Sequence, residues 1–180
     1  MTETVKQVLG QVLSNLSVAC GYARELEKLV VEQYGRPLSE RQIEDARLAG
    51  VKQPEKIRLA PSFECLDQDV RFREIKEFLL KGGVIGGITV NYAIILNPDF
   101  ADNRWVFLHE CGHVVQYECL GIEGFLKRYF EEAVQHGYRQ MPMEGEADLS
   151  VKKVFSIICR DEKIRKKREH EAMEALLLKQ

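Results

Sequence analysis

The sequence predicts an α+β fold, mostly helical, with a small β-sheet or hairpin beside one central helix. Apolar residues recur at helical spacing through most of the chain, while strand-like sequence concentrates in Val84–Leu96. A His-Glu-x-x-His segment follows that strand signal inside a stretch of helical character. A chain of 180 residues suits a single domain, 1–180, with an N-terminal helical region over about 1–80 and a charged terminal helix over about 160–180.

Each element has a local reason. Val5, Val8, Leu9, Val12, Leu13 and Leu16 form one helical stripe, and Tyr22, Ala23, Leu26, Leu29 and Val30 form a second. Gly35 and Pro37 interrupt the pattern; Ser39 is placed to cap a short helix that runs to about Leu48 and ends at Gly50. Pro54 and Pro61 bracket Glu55–Ala60, which is too short for a helix and reads as an edge strand or extended connector. Leu66–Lys81 is helical, with Val70, Ile75, Phe78 and Leu79 on one side. Gly82 and Gly83 stop it, and a turn near Asn91 and Tyr92 folds Gly87–Val90 back on Ala93–Leu96. Arg104–Cys119 is the motif helix, broken at Gly121. Ile122–Gln135, Met143–Cys159 and the charged tail from Arg160 read as three further helices.

Composition narrows the function. Hydrophobic residues are 45% and charged residues 30%, as in globular proteins. Lys and Arg total 26 against 28 for Asp and Glu, so the net charge of −2 gives no reason to expect nucleic acid as a partner. The basic run Lys163–Arg168 is flanked by Asp161, Glu162, Glu169 and Glu171 and reads as a solvated helix face. The most apolar window, Val84–Leu96, is interrupted and too short for a membrane-spanning helix. No secretory signal opens the chain, and five cysteines without CxxC spacing speak against a disulfide framework; the expected location is cytoplasmic.

The chemistry lies in His109-Glu110-Cys111-Gly112-His113. Residues four apart share a helix face, so two imidazoles can reach one tetrahedral zinc ion at about 2.0–2.1 Å. Glu110 then stands beside the open coordination position, where it can act as general base toward a water whose pKa the ion lowers to roughly 7. Catalytic zinc takes three protein ligands as a rule, and the third is sought in Met143-Glu144-Gly145-Glu146-Ala147-Asp148. Glu144 shares the inward face with Ala147, Asp148, Val151 and Phe155 and is preferred; Glu146 remains the alternative. Asp148 can accept a hydrogen bond from the far nitrogen of a ligating histidine. Cys111 points away from the histidine face and reads as core. Imidazole and carboxylate donors also accept other divalent ions, so zinc is the expected member of a class.

An HExxH segment followed later by Glu-x-x-Ala-Asp resembles the gluzincin metallopeptidases, and Tyr117–Tyr138 also resembles bacterial domains of unknown function with an HExxH core. The resemblance implies a zincin-like fold, Glu144 as third ligand, and Asp148 as support for a histidine. It also implies a His or Tyr that donates to the oxyanion of a tetrahedral intermediate, for which His136 and Tyr138 are the candidates. The expected function is zinc-dependent hydrolysis of peptide bonds in a peptide or protein substrate. The alternative is a zinc-binding regulatory or protein-interaction module of the same fold with no peptidase activity.

Overall fold

A computed structural model describes residues 13–81, 85–137 and 140–177, with backbone alone at 74–75, 78–81, 165 and 169–177. The helix expected from Glu3 falls mostly outside this set. Helix α1, Leu16–Leu29, turns Cys20, Ala23 and Leu26 inward and widens into one π-helical turn, Val30–Tyr34. Helix α2, Glu40–Ala49, opens with a reciprocal cap: the Ser39 hydroxyl accepts from the Gln42 amide, and the Gln42 side chain accepts from the Ser39 amide at 3.0 Å. It ends at Gly50 with φ 109°.

Four strands make a mixed sheet: β1 Arg36–Pro37, β2 Arg58–Ala60, β3 Gly87–Val90 and β4 Ala93–Leu96. Their order is β1-β2-β4-β3, with β2 parallel to β4 and the other two pairings antiparallel. The hairpin β3–β4 turns at Asn91, whose φ of 51° suits an asparagine in a tight turn. Strand β2, expected at an edge or as a connector, is interior, because two residues of β1 pair along its outer side. The helix expected from Leu66 starts instead as α3 at Val70. Asp69 supplies the reason, since its carboxylate accepts from the Arg71 amide at 2.9 Å and starts the helix there, leaving Phe63–Asp67 as a 3-10 turn.

The long helices complete the fold. Helix α4, Arg104–His136, is bent at Gly121 (φ 68°, ψ 173°) and continues as a second arm. Helix α5 runs unbroken through Pro142–Leu177, so the separate terminal helix expected from about 160 is its continuation; no Gly or Pro follows Gly145 to interrupt it. The sheet lies between two apolar layers. Leu59, Ile94 and Leu96 face α2, α4 and α5 through Ala46, Leu108, Cys111, Val114, Val151 and Val154. Ala60, Ala93 and Ile95 face α1 and the 3-10 turn through Ala23, Leu26, Val30, Cys65 and Leu66. The result is a mostly helical α+β fold with its small sheet against the motif helix. Among the described residues no helix is long and apolar enough to cross a membrane.

Helices α4 and α5 cross at Gly112. A Cβ there would lie 2.8 Å from the Ala147 Cα and 3.0 Å from its Cβ. Gly112→Ala must push the helices apart and is expected to cost about 1–3 kcal/mol in chemical denaturation, an overpacking penalty that a tolerant surface glycine would not show.

Candidate metal centre

His109 and His113 lie one turn apart on the face of α4 that meets α5. Their rings meet edge to face, 4.8 Å between centroids. Because α5 runs antiparallel across this face at Gly112 and Ala147, its first turns carry Glu144 and Asp148 to the two rings. The His109 Nε2 is 3.2 Å from Glu144 Oε2, and the His113 Nε2 is 3.5 Å from Glu144 Oε1. One donor atom from each of the three residues lies within 4.8 Å of the others.

Both imidazoles are oriented from behind. His109 Nδ1 is 2.9 Å from Asp148 Oδ1, and His113 Nδ1 is 2.8 Å from Gln116 Oε1. An acceptor on Nδ1 holds a proton there and turns Nε2 toward the cluster. The Tyr129 hydroxyl donates to Glu144 Oε1 at 2.9 Å. Tetrahedral coordination at about 2.0–2.1 Å places neighbouring donors roughly 3.3 Å apart, close to the two imidazole–carboxylate separations of 3.2 and 3.5 Å, so this group could hold a divalent ion such as zinc.

Exposure of the side chains is low: 14% for His109, 9% for His113 and 15% for Glu144. Burial alone would draw the His109 imidazole down, but the Glu144 hydrogen bond and the Glu110 and Glu144 charges outweigh it and raise it to about 9. His113 is raised for the same reasons against the same burial. Burial pushes Glu144 up, yet hydrogen bonds from His109, His113 and Tyr129 hold it well below the usual carboxylate range. The cluster therefore favours positive charge among its donors, which is what a divalent cation supplies.

Glu110 occupies the neighbouring face of α4 beneath β3. Strand alternation puts Gly87 and Thr89 on the side of the sheet toward it. A Cβ at Gly87 would stand 2.9 Å from the Glu110 Cδ, so only glycine lets the strand pass this close. The Thr89 hydroxyl donates to Glu110 Oε2 at 2.7 Å. Burial raises the Glu110 carboxyl, against the pull of both imidazoles and of Thr89. On the more open side, the Trp105 ring stacks on His109 with centroids 5.5 Å apart and 17° between planes, and Trp105 is 45% exposed.

Of Glu144 and Glu146, it is Glu144 that stands at the two rings. Glu146 is held away from the rings by Arg128, at 2.5 Å, and by Gln116, at 3.1 Å. His136 ends α4 in an exposed position and has no contact with the cluster among those described. Tyr138 lies outside the described residues. Cys111 is buried, as expected of a core residue. The structure adds Thr89, Gln116, Tyr129 and Trp105, none singled out from sequence. Gln116 is one turn beyond Gly112 on the α5-facing side, and Thr89 alternates with Gly87; both signals are in the sequence. Tyr129 needs the bend at Gly121, which returns the second arm so that Phe125 and Tyr129 pack edge-on against His113.

No family model, curated protein or solved structure matches this chain.

Glu144→Ala is expected to abolish stoichiometric zinc uptake in equilibrium dialysis with elemental analysis, whereas Glu146→Ala still takes up one equivalent. The opposite pattern would move the third ligand to Glu146.

Proposed function

We propose that the chain is a zinc metallopeptidase of zincin-like architecture that hydrolyses peptide bonds. The observation that carries the reading is the convergence of two Nδ1-anchored imidazoles and one carboxylate, with a buried glutamate one residue along from the first imidazole. His109, His113 and Glu144 would hold the ion, and Asp148 and Tyr129 would steady two of those ligands. Bound zinc would supply a Lewis acid that polarises a carbonyl oxygen and lowers the pKa of water to roughly 7.

The remaining work falls to Glu110. A carboxyl raised by burial is a stronger base than an exposed one, which suits it to accept a proton from the attacking water and pass it to the leaving amine. Gly87 and Thr89 limit its movement from above. Strand β3 ends the sheet and pairs only with β4 among the described residues, so an extended peptide can add along its other edge. That position would bring a substrate carbonyl over α4 between Glu110 and Trp105. All five cysteines are free thiols, which supports a reducing, cytoplasmic setting.

Glu110→Gln is expected to retain zinc and lose about 10²–10⁴-fold in peptide hydrolysis, followed with quenched-fluorescence peptide libraries. Equal turnover by wild type and variant would remove Glu110 from the reaction. A wild-type protein that binds zinc and cleaves nothing in the library would favour the regulatory-module reading.

A further inference from the structure

We infer that Gln116 is a positioning residue for this centre, dictating which nitrogen of His113 faces the ligand cluster; the role in zinc binding rests on the reading above. The amide is fixed from two directions. Its Nε2 donates to the Met143 carbonyl at 2.8 Å and to Glu146 Oε2 at 3.1 Å, which uses both amide hydrogens. Its Oε1 is left as an acceptor, 2.8 Å from His113 Nδ1. Turning the amide over would set its oxygen against a carbonyl and a carboxylate, and Gln116 is only 8% exposed, so water cannot relieve that clash. Nδ1 of His113 must therefore carry a proton, and Nε2 is the nitrogen turned to the ligand cluster.

The network behind Gln116 closes on itself. Arg128 donates to Glu146 Oε1 at 2.5 Å and to Glu132 Oε1 at 2.7 Å, and Glu132 Oε2 accepts from the Met143 amide at 2.8 Å. Met143 is the residue whose carbonyl accepts from Gln116, and it directly precedes Glu144. A ring of Gln116, Glu146, Arg128, Glu132 and Met143 thus ties the second arm of α4 to the first turn of α5. It sets the orientation of one ligand and the location of another together. Truncating Gln116 frees the His113 ring to turn and leaves Nδ1 without its acceptor.

The test compares the zinc affinity of the full chain as wild type, as Gln116→Met, and as the paired exchange Gln116→Glu with Glu146→Gln, by competition with a chromophoric chelator. Gln116→Met keeps side-chain length but removes the acceptor; it is expected to weaken zinc binding by about 10–100-fold. The paired exchange returns an acceptor to Nδ1 and a donor opposite it but sets a carboxylate oxygen against the Met143 carbonyl, and is expected to recover part of that loss. Circular dichroism and thermal unfolding establish that each variant is folded. A second readout needs no metal: the wild-type His113 Nδ1 proton is expected to be protected from exchange in the nuclear magnetic resonance spectrum of metal-free protein, and to lose protection in Gln116→Met. Unchanged zinc affinity in folded Gln116→Met, or an unprotected proton in wild type, overturns the inference. If wild type binds no zinc, the metal reading fails, and the imidazole proton alone decides whether Gln116 orients His113.

Discussion

Helices α4 and α5 meet backbone to backbone at Gly112 and Ala147, and the groups of the candidate centre take their positions from that contact. One turn before Gly112, His109 meets Asp148 and Glu144; one turn after it, Gln116 reaches the Met143 carbonyl. An ordinary side chain at residue 112 would separate the helix axes toward the usual 8–10 Å or beyond, and hydrogen bonds of about 3 Å would not survive such a shift. The motif helix is also pinned at both ends of its first arm. Arg104 forms a two-pronged pair with the buried Asp45 of α2, at 2.8 and 2.5 Å. Glu118 accepts from the Lys52 and Gln53 amides and from the Tyr92 hydroxyl. Between these anchors the two histidines have little freedom to drift.

Electrostatics then follow from geometry. The buried Glu110 and largely buried Glu144, with the more exposed Asp148, surround two imidazoles that have little access to water, where unpaired charge is costly. Protons can partly balance the carboxylates, which is why both imidazoles are pulled upward despite their burial. A divalent ion would balance them more fully, at the point where both Nε2 atoms and a carboxylate oxygen converge. Ion binding and the packing of α5 on α4 would then be coupled, as expected where ligands come from two elements.

Much of this was legible in the sequence because it depends on short-range periodicity. The i, i+4 histidines, the Ser39 cap, the hairpin at Asn91 and the inward face of Glu144 all follow from one or two turns of local pattern. Glu146 was harder to separate from Glu144, since both acids suit a first helical turn; the difference lies in Arg128, which approaches only after the bend at Gly121. Tyr129 depends on the same bend. Helix boundaries shifted where a side-chain cap outweighed apolar spacing, as at Asp69, and where breakers were absent, as along α5. Strand β2 reads from sequence as an edge strand or connector, not an interior strand, because the two residues of β1 leave almost no strand signal of their own.

The most direct measurement is X-ray absorption at the zinc edge of the reconstituted wild-type protein. A shell of nitrogen and oxygen donors at about 2.0–2.1 Å with the multiple-scattering signature of two imidazoles is expected. Sulfur donors at about 2.3 Å would place the ion on cysteines, and absence of bound zinc after reconstitution would leave His109 and His113 as core residues held by Asp148, Gln116 and Glu144.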